Sequence, residues 1–196
     1  MKKKNVPGIA AESPVTYDVY ASLPDDGNRY EVADGVLELM SPAPGTLHQV
    51  ISYELQSKLN SDCRQEYIII NAPIDVILSD TEVRQPDLVM VHRSRMSLIS
   101  KRGIEGVPDL VVEIMSSHSR KRDKVHKTKA YAKYGVPEYW IVDLSNYTLE
   151  QYVLKQGIYE LIDVYEGEET VRSDKLACVS FSMGEIVRQL PDVLRE

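Results

Sequence analysis

Two apolar runs bracket a charged segment, and their spacing restricts the fold more than any other feature of the chain. VPDLVVEIMS (107–116) and VPEYWIVDL (136–144) are rich in β-branched and aromatic residues and read as strands. Between them SRKRDKVHKTKAYAKYG (119–135) reads as a helix that stops at Gly135, a residue suited to a left-handed helix terminus. Strand, helix, strand at this spacing predicts a crossover helix joining two strands of one sheet. An unusual residue sits inside the first run. Glu113 stands among Val and Ile, where a carboxylate is costly to bury unless something pairs with it.

The flanking segments extend the pattern. TYDVYASLP (16–24) reads as a short helix capped by Thr16. RYEVADGVLELM (29–40) carries Asp34-Gly35 between two β-rich runs, the pair that a two-residue hairpin turn favours. TLHQVISYELQSKLN (46–60) has Leu47, Val50, Ile51, Leu55 and Leu59 close to a helical stripe. EYIIINAPIDVIL (66–78) reads as a strand bent at Pro73, and QPDLVMV (85–91) as another. After the central unit, 147–154 and 158–165 form a hairpin around Gln156-Gly157. Residues 170–181 read as one more strand, and SMGEIVRQL (182–190) as a closing helix capped by Ser182. The expected architecture is an α/β mixed sheet with a helix-strand-strand-strand-helix-strand core, an N-terminal hairpin and a C-terminal antiparallel extension. Residues 1–15 read as a flexible tail and 16–190 as one domain, a size that 196 residues suit.

Charge is unevenly placed. The chain carries −7 overall, yet residues 92–135 hold eleven Lys/Arg against four Asp/Glu. A segregated basic region on an acidic chain is the footprint expected of a nucleic-acid contact, although a solvated basic face is the ordinary alternative. Arg93, Arg95, Lys101 and Arg102 precede the Glu113 strand, and Arg120, Lys121 and Arg122 follow it. No apolar run reaches the ~18 residues of a membrane span, and Cys63 and Cys178 match no metal spacing. Reduced thiols and a cytoplasmic location are the resulting expectation.

Side chains alternate along a strand, so Asp109, Val111, Glu113 and Met115 share one face, and Asp87, Val89 and Val91 share one in the preceding strand. If those strands are neighbours, Asp87 and Glu113 point the same way from adjacent positions. Two carboxylates on rigid strands suit a hard divalent cation that keeps several waters. The alternative is an Asp87 that caps a strand entry and a Glu113 that emerges into water.

With these residues in place, the chain resembles the PD-(D/E)xK nuclease superfamily and, more closely, the Uma-type restriction-endonuclease-like family. The matching stretches are RYEVADGVLELMSPAPGTLHQ, QPDLVMV and PDLVVEIMSSHSRKRDKVHKTKAYAKYGVPEYWIVD. The resemblance implies a nuclease that hydrolyses phosphodiester bonds, in DNA first, with Mg²⁺ or Mn²⁺ held by Asp87, Glu113 and the Ile114 carbonyl. One departure matters. Met115 stands two residues after Glu113, where the superfamily places a lysine. Asp123, Lys127 and Tyr131 form one helical stripe, and the resemblance implies that Lys127 supplies the missing ammonium. An exposed Asp123–Lys127 ion pair is the alternative. Lys124 and Lys129 turn away from that stripe. Glu31 could add a carboxylate, and His48 could touch a phosphate or hold the hairpin. The implied partners are nucleic acid and a second copy of the chain, with no membrane. A nuclease fold that binds nucleic acid or a partner without cutting is the competing reading.

Overall fold

The computed structural model describes residues 13–115 and 120–195, and the side chains of 120–124 lie outside that description. Most of the expected tail therefore lies outside the described residues. Helix α1 spans Tyr17–Ala21, with the Thr16 hydroxyl accepting from the Val19 N–H. Strands β1 (Tyr30–Ala33) and β2 (Val36–Leu39) form the N-terminal hairpin. Asp34 and Gly35 turn at φ 46° and 74°, the left-handed conformation that a type I′ turn requires. A Cβ on Gly35 would also lie 2.6 Å from the Pro14 Cβ, so the position excludes a side chain twice over. Helix α2 (Thr46–Cys63) follows, then β3 (Tyr67–Asn71), β4 (Val76–Ser79), β5 (Glu82–Arg84) and β6 (Leu88–His92). Next come β7 (Ile104–Glu105), β8 (Leu110–Met115), α3 (Arg120–Tyr134) and β9 (Glu138–Asp143). The chain closes with β10 (Thr148–Lys155), β11 (Ile158–Tyr165), the two-residue β12 (Thr170–Val171) and β13 (Phe181–Ser182), and α4 (Met183–Arg188).

A six-stranded sheet in the order β11-β10-β9-β8-β6-β3 organises the molecule. β8 and β9 pair in parallel across α3, and the other pairings in this sheet are antiparallel. The order α2-β3-β6-β8-α3-β9 reproduces the expected helix-strand-strand-strand-helix-strand core. Both faces are covered, which explains apolar runs in place of alternation. On one face Leu88, Met90, Leu110, Val112 and Trp140 pack against Ile51, Leu55 and Leu59 of α2 and Ile186 of α4. On the other, Val89, Val91, Val111 and Met115 pack with Tyr131 of α3 and with Val76 and Ile104 of a second sheet. That second sheet runs β2-β1-β5-β4-β7 and stands beside the Glu113 face.

Three expectations need correction. Residues 66–78 are not one bent strand. The chain breaks at the cis Ala72–Pro73 bond, and β3 and β4 enter different sheets. Residues 170–181 are not one strand either. Only their ends pair, β12 with β13, because Ser173 turns the chain between them. Its hydroxyl accepts from the Lys175 and Leu176 N–H groups and donates to Glu138 at 2.6 Å. Glu138 is fully buried and also accepts from Trp140 Nε1 and Gln151 Nε2, so it ties the C-terminal segment to the central sheet. Finally, Cys63 and Cys178 are not separate reduced thiols. The end of α2 and the turn before β13 converge beneath the sheet, and the two sulfurs are bonded with Cα atoms 5.2 Å apart. Among the described residues no helix is long and apolar enough to cross a membrane.

Candidate active site

The two Pro-Asp strands are antiparallel neighbours. Leu88 faces Val112 in their register, so one further step sets Asp87 opposite Glu113 on the same side of the sheet. The two aspartates perform matching local tasks. Asp87 Oδ2 accepts the Ile114 N–H at 2.7 Å, and Asp109 Oδ2 accepts the His92 N–H at 2.7 Å. Each carboxylate thus satisfies a backbone donor on the partner strand. Their second oxygens separate them. Asp109 Oδ1 takes Arg95 Nη1 at 2.7 Å, and Arg95 Nη2 donates to the Val107 carbonyl, which completes a structural clamp. Asp87 Oδ1 meets His48 Nε2 at 3.0 Å, at the first turn of α2. Asp109→Ala is therefore expected to cost about 1–3 kcal/mol, the penalty for stranding its donors. Thermal melting should fall by ~2–4 °C per kcal/mol for a chain of this length.

Glu113 is 5% exposed. Lys127 Nζ donates to both its oxygens, at 2.8 and 2.9 Å, and the Tyr131 hydroxyl donates to Oε1 at 2.8 Å. Both partners come from one stripe of α3, four residues apart. Lys127 also lies 3.3 Å from Glu31 Oε1. Glu31 is held in turn by the Gln85 N–H at 2.8 Å and by Arg84 at 3.3 Å, and Arg84 reaches Glu82 at 2.6 Å. Among the described residues five carboxylates (Glu31, Glu38, Glu82, Asp87, Glu113) thus face two cations (Arg84, Lys127), a formal surplus of three negative charges.

The proton affinities follow from that shortage. Burial pushes the Glu113 carboxyl up to about 7 against the pull of Lys127, and the charges on Asp87 and Glu31 raise it further. Burial works against the Lys127 ammonium, yet Glu113 and Glu31 together hold it above the usual lysine range. Glu31 is held low despite its burial, because Lys127 and Arg84 both face it. Glu113 and Lys127 shift in the same direction because burial outweighs the ammonium at the carboxyl, whereas two carboxylates outweigh burial at the ammonium.

A carboxyl that binds its proton more tightly when folded makes the fold lose stability as pH rises from its ordinary value of 4.5 to about 7. The full loss is at most about 3 kcal/mol. Metal-free wild type should show this decline between pH 5 and 8, and Glu113→Gln should not. Melting curves of the two proteins that run parallel across that range would contradict the assignment.

The structure brings Asp87, Glu113, Lys127, Glu31 and His48 together. Met115 is packed into the core, 4% exposed, so the ammonium comes from the helix and not from the strand. The side chains of Asp123, Arg120, Lys121, Arg122 and Lys124 lie outside the described residues. The other basic residues are dispersed. Arg93 and Arg95 follow the far end of β6, about 17 Å from Asp87 for five strand residues. Arg93 donates to the Arg64 carbonyl. Arg102 stacks 4.1 Å over the Tyr17 ring and lies near Asp18 and Glu105, and Lys101 is its exposed neighbour. Among the described residues, these four basic side chains therefore do not form one surface with the carboxylate cluster. Sequence reasoning missed Arg84, Glu82 and Gln85. EVR (82–84) is a three-residue strand with two charged side chains on one face, and its complete burial is visible only in the structure.

Asp87 and Glu113 are the side chains suited to a divalent ion. Among the described residues, no three His, Cys, Asp or Glu side chains gather as a metal-binding group. That donor set fits a hard cation that takes one or two carboxylates and retains water, and does not fit a zinc-type centre of three or four protein ligands.

The chain matches the model of the Uma2 family, described as "Putative restriction endonuclease", over residues 17–183. No curated protein matches it. The crystal structure of a "putative nuclease belonging to DUF820" from Anabaena variabilis superposes with a TM-score of 0.70. It is 23% identical and covers 89% of this chain and 98% of that one, a likeness that concerns the fold.

Proposed function

This chain belongs to the Uma2 family of restriction-endonuclease-like proteins, and we propose that it is a divalent-metal-dependent endonuclease that hydrolyses phosphodiester bonds in DNA. One observation carries the reading. Two carboxylates face each other from neighbouring strands, and a buried ammonium from the crossover helix touches one of them. A Mg²⁺ or Mn²⁺ bound there would supply acidification of water and relief of charge on the phosphoryl oxygens.

The chain's own groups supply the rest. Asp87 and Glu113 would hold the ion, with the Ile114 carbonyl as a third donor. The Ile114 N–H and His48 fix the Asp87 carboxylate, and Tyr131 fixes that of Glu113. Lys127, steadied by Glu31, is the group to orient the attacking water or to stabilise charge on the phosphoryl oxygens. Water adds to phosphorus, the bond to one ester oxygen breaks, and that oxygen leaves with a proton.

The experiment is incubation of supercoiled plasmid with the purified chain in Mg²⁺, in Mn²⁺ and in EDTA. Nicked or linear products in either metal and none in EDTA are expected. Intact plasmid at all metal concentrations, with binding retained, would favour the reading as a nuclease fold that binds without cutting.

A further inference from the structure

A groove of about 240 Å³ runs between the β1–β2 hairpin and α3, at the edge of the carboxylate cluster and away from Asp87 and Glu113. Its floor is Arg84, the residue that holds Glu31, so groove and cluster share a wall. One side is α3, where His126, Lys129 and Lys133 are exposed and stand at i, i+3 and i+7 along a single stripe. This stripe is displaced from Lys127 and Tyr131 by about one residue around the helix. The opposite side is the hairpin, where Val36 is half exposed and offers apolar surface. The groove's acidic groups are largely occupied. Glu82 accepts from Arg84 and from the Asp34 N–H, Asp34 pairs with Lys133 at 2.5 Å across the groove mouth, and Glu38 lies 4.0 Å from Arg84.

We infer that this groove is the track of the substrate's sugar–phosphate backbone, with Lys129 and Lys133 as its phosphate contacts and Val36 of the hairpin as its apolar contact. The volume supports this occupant. It is below the ~300–1,000 Å³ of sites that enclose a drug-sized ligand, and suits one narrow strand of backbone passing through. The charge supports it as well, because the exposed cations stand on the helix that delivers Lys127 to Glu113. A phosphate would take Lys133 from Asp34, and an exposed pair of this kind contributes little stability. The inference rests on the nuclease reading only in taking the bound polymer to be the one that is cut.

The test is anisotropy of a labelled 12-nucleotide single strand and of its duplex, titrated with the full chain in EDTA at several salt concentrations. Lys129→Ala with Lys133→Ala should weaken binding. It should also flatten the plot of log affinity against log salt by about 1.4 units for the single strand, or about 1.8 for the duplex. Asp34→Asn should act in the opposite direction and tighten binding, because it frees Lys133 while suiting the left-handed turn. Arg102→Ala should leave the slope unchanged. An unchanged slope in the double variant would overturn the inference. Weaker binding by Asp34→Asn, or displacement by polyglutamate as effective as by oligonucleotide, would also overturn it. Since these readings need no cleavage, a flattened slope with uncut plasmid sinks the hydrolase alone, and cleavage with an unchanged slope sinks the groove alone.

Discussion

Asp87→Asn should leave the protein folded and lower metal-stimulated cleavage by about 10²–10³-fold or more, the scale of losing one group that stabilises transition-state charge. The substitution is chosen because it separates the two tasks of this side chain. An asparagine carbonyl oxygen can still accept the Ile114 N–H, so the strand-end contact at 2.7 Å survives. The negative charge that would hold a cation does not. Melting temperature should therefore change little while cleavage falls. Asp109 is the internal comparison, since it makes the equivalent contact to His92 but turns its other oxygen to Arg95. Its loss should move stability and spare cleavage. Near-normal cutting by Asp87→Asn, or equal loss from both aspartates, would remove the distinction on which the site rests.

Lys127→Met should be the most destabilising single change in the cluster. The ammonium is 14% exposed at its side chain and contacts Glu113 and Glu31 together. Its removal leaves Arg84 beside Glu31 but only the neutral Tyr131 hydroxyl on Glu113 among the described contacts, and breaking a buried pair from one side costs about 3–5 kcal/mol. Cleavage should be lost as well. Adding Glu113→Gln to Lys127→Met should recover part of the stability, because the charge that Lys127 neutralises is then absent. Residues in direct contact commonly couple by ~0.5–3 kcal/mol in such a cycle. Purely additive losses in the double variant, or a Lys127→Met protein that melts like wild type, would mean that the ammonium spends its time in solvent.

The placement of these side chains was legible in part, with the position of the ammonium supplied by the family resemblance. Alternation along two strands set Asp87 and Glu113 on matching faces, and helical spacing set Lys127 and Tyr131 on one stripe. The same held for the Asp34-Gly35 turn and for the caps at Thr16 and Ser182, all of which depend on neighbours within a few residues. Long-range relations were not legible. Nothing near EVR (82–84) indicates that Arg84 will meet Glu31, 53 residues away. Cys63 and Cys178 are 115 residues apart, and only the packing of α2 beneath the sheet brings them together. The basic count over 92–135 carries no such spatial information. It summed charge along the chain, whereas β6 carries Arg93 and Arg95 to the end of the sheet remote from Asp87. Met115 leaves the strand without the lysine that the superfamily carries there, and the ammonium on Glu113 is that of Lys127 from the helix.

The most direct test is diffraction from crystals soaked in Mn²⁺, with anomalous density used to locate the ion. A peak should appear between Asp87 and Glu113, about 2.1 Å from an oxygen of each, as expected of hard-cation coordination. Lys127 should then contact no more than one oxygen of Glu113. Density elsewhere on the molecule, with both Glu113 oxygens still bonded to Lys127 at saturating metal, would contradict a cation shared by the two strands.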